Sequence, residues 1–135
     1  MSNIVKITIF ADPNKPDKPT LKLPDIPWFA GITALQAMVI GEAMHEENFS
    51  FRVVYKSIFG AFIDSIDGVT DGDIPNHFWM FSIDGSPSEV GVSEAIIQED
   101  QSKTSAEVEW RFADIGSVPL SGQAALKTKP LPRTT

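Results

Sequence analysis

The sequence predicts a small α+β domain, with one main helix packed on a mixed, mostly antiparallel sheet. Three observations predict it. Apolar residues alternate with period two in "IVKITIF" and "AEVEWRF"; one stretch alone, "GITALQAMVIGEAMHEE", shows helical spacing; and ten prolines with nine glycines in 135 residues punctuate the chain with turns. A chain of this length fits one hydrophobic core.

The elements follow in order. In "IVKITIFA", Val5, Ile7 and Ile9 share one face and Ile4, Lys6, Thr8 and Phe10 the other, the period of a strand. The prolines and aspartates of "DPNKPDKP" cannot continue a ladder, so "TLKLPDI" is expected to return as the second strand of a hairpin, with Pro24 and Pro27 marking an edge. Thr33 then caps a helix whose buried face is expected to carry Leu35, Met38, Val39 and Met44, with Glu42, Glu46 and Glu47 toward solvent. Gly41 weakens that helix by about 1 kcal/mol relative to alanine, and lets it sit close against a sheet. Acidic Glu46 and Glu47 oppose the helix dipole and predict that the helix stops there, with His45 as a surface cap.

"FSFRVVYKSIFGAFIDSI" is rich in β-branched and aromatic residues and long enough for two strands hinged near Gly60. "DGVTDGDIPN" is a long turn, "HFWMFSIDG" a strand closed by an Asp-Gly turn, and "VGVSEAIIQEDQ" a short strand or a single helical turn. In the last strand, "SAEVEWRFAD", Val108, Trp110 and Phe112 point inward and Glu107, Glu109 and Arg111 outward. After Asp114 the periodicity ends, so residues 1–114 are expected to form the domain and residues 115–135 a flexible or partner-docking tail.

Charge and composition narrow the function classes. A net charge of −7 opposes the phosphate contacts that dominate nucleic-acid affinity. The absence of cysteine removes thiolate nucleophiles, disulfides and cysteine-based zinc sites. No apolar run approaches the roughly 20 residues of a membrane span, and "MSNIVKITIF" alternates like a strand instead of reading as a signal peptide, so a soluble, cytoplasmic protein is expected.

The order of elements, hairpin, helix, then several strands, is that of a β-grasp-like domain, and particular residues sharpen the comparison. "GITALQAM" resembles the start of the helix in the transcobalamin-like C-terminal domain family, "FIDSIDGV" its following strand and turn, "FWMFSIDG" its tryptophan-containing strand, and "EVEWRF" its closing strand. The resemblance runs from about Ile4 to Asp114, with Asp84 where asparagine is usual in the family. It implies a non-catalytic binding or interaction module, with cobalamin or a corrinoid-like molecule as a ligand by resemblance only, or a protein partner.

The residues expected to touch a ligand are Trp79, Phe81, His77, Tyr55, Asp84 and Trp28. In "FWMF" one pair, Phe78 with Met80 or Trp79 with Phe81, must face the core, because large apolar residues on a strand are usually buried; the pair facing away from the helix would form a platform for a flat ligand or a protein. His77 is the stronger candidate of the two histidines, though neither stands in a metal or triad spacing. Asp64, Asp67, Asp71 and Asp73 lie within ten residues, a density that calcium ligands also show, but off the EF-hand spacing, and an acidic turn is ordinarily just solvated. No catalytic motif is present. The alternative readings are a small cofactor-free enzyme, a proton-transfer isomerase or cyclase using Asp64, Asp84, Tyr55 or His77, and an accessory subunit of an enzyme complex docked through its tail.

Overall fold

The computed structural model describes residues 4–117 except 48, 56–59, 89, 99–101 and 103. In chain order the elements are β1 (Ile4–Phe10), β2 (Leu21–Lys22), β3 (Ile26–Pro27), α1 (Ala34–Met44), β4 (Phe51–Val54), β5 (Phe62–Ile66), β6 (Val69–Thr70), β7 (His77–Ile83), β8 (Ser86–Pro87) and β9 (Ser105–Asp114). Ile115–Ser117 form a 3₁₀ turn, and the rest of the expected tail lies outside the described residues. The fold is α+β, with one described helix and two sheets.

The main sheet runs β2-β1-β9-β7-β8, with β3 also paired to β1. β1 and β9 lie parallel, Ile4 opposite Ser105 through Phe10 opposite Arg111, whereas β7 is antiparallel to β9, His77 opposite Asp114 through Ile83 opposite Val108. β2 closes the expected hairpin with β1. The second sheet is an antiparallel meander, β4-β5-β6, closed by Asp67-Gly68, whose φ angles of 52° and 87° suit a tight primed hairpin turn. The two strands expected around Gly60 are thus β4 and β5.

Alternation along the strands sets the inner face of the main sheet. Val5, Ile7 and Ile9 of β1, Trp79 and Phe81 of β7, and Ala106, Val108, Trp110 and Phe112 of β9 share one core with Ala34, Ala37 and Met38 of α1 and Ile63 and Ile66 of β5. Burying a side chain the size of isoleucine stabilises the fold by about 2 kcal/mol. On the outer face Phe10 is nevertheless buried, because the Arg111 guanidinium sits 3.9 Å from its ring centroid and donates to the Pro16 carbonyl at 2.6 Å, folding the proline-rich turn over the sheet.

The helix begins as expected, with a capping box: Gln36 N–H donates to Thr33 Oγ1 and Thr33 N–H to Gln36 Oε1. Its buried face differs from the expectation. Ala34, Ala37, Met38 and Gly41 face the core, while Val39 and Met44 are 50% and 42% exposed. Small residues let the helix axis approach the sheet: a Cβ on Gly41 would stand 2.8 Å from Leu23 Cδ1 and 3.3 Å from Ile26 Cδ1. The helix stops at Met44, with the His45 N–H donating to Gly41 O.

Candidate functional site

Three loops meet at the end of the main sheet where β1 begins. The segment 91–97, expected as a strand or a turn, is a turn that stitches the other two together. Val92 N–H donates to Ala61 O at 2.7 Å and Ala61 N–H to Ser93 Oγ at 2.9 Å, fixing Ala61 at the entry to β5. Ala34 and Leu35 N–H donate to Ala95 O and Val92 O, so the first turn of α1 spends its free donors on this segment. Ile97 N–H donates to Ile32 O, Trp28 Nε1–H to Ile97 O at 2.9 Å, and Ile96 bridges Thr33.

This stitching leaves apolar side chains in water. Tyr55 is 70% exposed, and Phe29, Val90 and Ile96 are also exposed, which places at this end four of the seven large exposed hydrophobic residues among those described. Trp28 is half-buried beside them, with its ring N–H satisfied. Glu94 is the exposed charge of the same segment. Exposed apolar side chains on neighbouring loops, with polar groups beside them, are what recognition surfaces present. Phe29, Val90, Ile96 and Glu94 were not singled out by sequence reasoning; the apolar pair Ile96-Ile97 within a turn segment was the signal available.

The six expected ligand contacts fall in three places. Tyr55 and Trp28 lie at the loop end. Asp84 lies at the same end of the main sheet, at φ 50° in the Asp84-Gly85 turn, with Oδ1 accepting from Glu107 N–H at 2.9 Å. Trp79 and Phe81 face the core: Trp79 is 1% exposed, donates through Nε1 to Val69 O and stacks at a tilt on Phe112, and Phe81 packs 4.8 Å from Trp110. The pair facing away from the helix is therefore Phe78 and Met80, both half-buried. His77 lies at the far end of β7, roughly 20 Å from Asp84 along the strand, with Nδ1 2.9 Å from Pro75 O and its ring against Phe112.

The four aspartates of the acidic turn are spent on structure. Asp64 is buried and accepts a forked pair of hydrogen bonds from Arg52, Nε to Oδ1 at 2.8 Å and Nη2 to Oδ2 at 2.9 Å. The bond to Asp64 and then its charge raise the Arg52 pKa above the ordinary arginine value. Asp71 accepts the Trp79 N–H at 2.7 Å, Asp73 accepts the Thr70 N–H, and Asp67 occupies the hairpin turn. No group of three or more metal-ligating side chains converges among the described residues. None of their helices is long and apolar enough to cross a membrane.

Comparison with known proteins places this geometry. No curated protein matches the chain. Haptocorrin in complex with Cbi shares the fold at a TM-score of 0.62 and 15% identity, over 84% of this chain and 26% of haptocorrin. A candidate metal-binding protein from Ruminococcus gnavus matches at 0.51 and 11% identity, over 84% of this chain and 98% of its own. The chain thus spans about a quarter of haptocorrin's length, and identities this low establish a common fold alone. The model of the domain of unknown function DUF4430 matches residues 31–112, from the loop before α1 to Phe112 of β9, and the chain belongs to that family.

Proposed function

We propose that this domain is a non-catalytic binding module that presents its loop end, around Tyr55, Phe29, Ile96 and Trp28, to a flat and largely apolar ligand of corrinoid type. The observation that carries the reading is that Tyr55, Phe29 and Ile96 are exposed beside a turn, 91–97, that is hydrogen-bonded to the helix start, to Trp28 and to Ala61 before β5. The likeness to haptocorrin, described in complex with Cbi, supports a corrinoid as the first ligand to try. On this reading residues 1–114 are a β-grasp-like domain related to the transcobalamin C-terminal type, a view supported by the parallel pairing of β1 with β9 and one helix against the sheet. The cytoplasm is the compartment we assign to it.

Calorimetric titration of the full chain with cobalamin tests the proposal. Saturable heat is expected, with affinity lowered at least about ten-fold by Tyr55→Ser, the scale of removing one aromatic anchor. Ile74→Ser, which alters an exposed apolar residue at the opposite end, should leave the affinity unchanged. Absence of heat, together with an unshifted melting temperature at saturating cobalamin, would overturn the corrinoid reading and leave a protein partner as the occupant of the loop end.

A further inference from the structure

Helix α1 turns Val39, Ala43 and Met44 toward water, with Gln36 and Glu42 as the polar residues of that side. Its core side is Ala34, Ala37, Met38 and Gly41; Val39, Ala43 and the exposed capping residue Gln36 lie opposite, flanked by half-buried Ile40 and exposed Met44 on one side and by Leu35 and Glu42 on the other. Glu42 is the single charge among its eleven residues. A surface helix ordinarily turns a polar face to solvent, and a helix apolar all round is ordinarily covered. Val39 and Met44 nevertheless stay 50% and 42% exposed.

Charge along the chain identifies what fits there. All eighteen acidic residues lie before Ser117, and Glu42, Glu46 and Glu47 border the exposed face at its end. Residues 118–135 hold no acid, and they interleave Lys127, Lys129 and Arg133 with Leu120, Leu126 and Leu131. Apolar and basic side chains in alternation match an apolar face rimmed with acid. These eighteen residues reach about 60 Å when extended, against a radius of gyration of about 14 Å for a domain of this size, so every face is within their range.

We propose that residues 118–135 dock on the exposed face of α1 in the same molecule, laying leucines over Val39, Ile40 and Met44 and the basic residues against Glu42, Glu46 and Glu47. Exposed ion pairs alone are weak, so the apolar contact has to supply most of the attraction. The inference is independent of the ligand proposed for the loop end.

Hydrogen exchange read by mass spectrometry on the full chain tests it. Amides of 118–135 are expected to exchange at least about ten-fold more slowly in the wild type than in a Val39→Lys, Met44→Lys variant. A tail variant, Leu120→Ser, Leu126→Ser, Leu131→Ser, should release the segment equally, and protection should be the same in dilute and concentrated samples. Protection of β9 amides in the same spectra reports whether the helix variant is folded; if it is not, the tail variant, which leaves the domain untouched, decides. Equal exchange of the segment in all proteins would overturn the proposal, as would protection confined to concentrated samples, which would mean that a second copy covers the helix.

Discussion

Asp71 accepts the backbone N–H of Trp79 at 2.7 Å on the side of β7 that β8, pairing at Ser82 and Ile83, does not reach. A side chain there does the job of a neighbouring strand, and it is 1% exposed. Asp71→Ala would strand that N–H in the interior and is expected to cost about 2 kcal/mol, read as a lower urea midpoint at an unchanged m-value. Nothing local in "DSIDGVTDGD" separates Asp71 and Asp64 from aspartates that merely meet water. Their burial is decided by partners far along the chain, Trp79 and Arg52, and no spacing rule encodes those. The same limit applies to Trp79 itself: alternation separated it from Phe78 but could not say which face the helix covers.

Among the elements, the strands were legible because two-residue alternation is a one-sided burial pattern, and β1 from Ile4 to Ile9, β7 from Phe78 to Ser82 and β9 from Ser105 to Ala113 keep it. The helix was legible in its cap and extent and misread in its face, because periodicity weights large apolar residues and α1 buries small ones. Close approach is the reason, and two glycines test it differently. At Gly91 a Cβ would fall 2.1 Å from the Ala61 carbonyl oxygen, a backbone atom that cannot yield without breaking the Val92–Ala61 bond. Gly91→Ala is therefore expected to cost about 3 kcal/mol. At Gly41 the nearest atom is the tip of Leu23, so a gain of about 1 kcal/mol in helix propensity offsets the displacement, and Gly41→Ala should change stability by less than about 1 kcal/mol. Chemical denaturation of the two variants side by side distinguishes them.

For the whole molecule, the α+β class followed from element order, whereas the division into two sheets did not. Pairing between strands a hundred residues apart leaves no local mark, and β1 and β9 are such a pair. The loop end escaped notice for a related reason: it is assembled from segments near 28, 55 and 96 that meet only in the fold, and two of its members, Trp28 and Tyr55, were picked out singly. Dominance of such distant contacts slows folding, because chain closure must precede any gain from them. Stopped-flow refolding from urea should accordingly fall in the millisecond-to-second range, well slower than helical bundles of equal size.

The parallel ladder of β1 and β9 also decides how the domain answers to force. Tension applied through Ile4 and Asp114 pulls two adjacent strands past each other along their length, so the ladder from Ile4–Ser105 to Phe10–Arg111 is loaded in shear and its bonds share the strain instead of unzipping one by one. A domain tethered at both ends would behave as a stiff mechanical clamp, yielding abruptly.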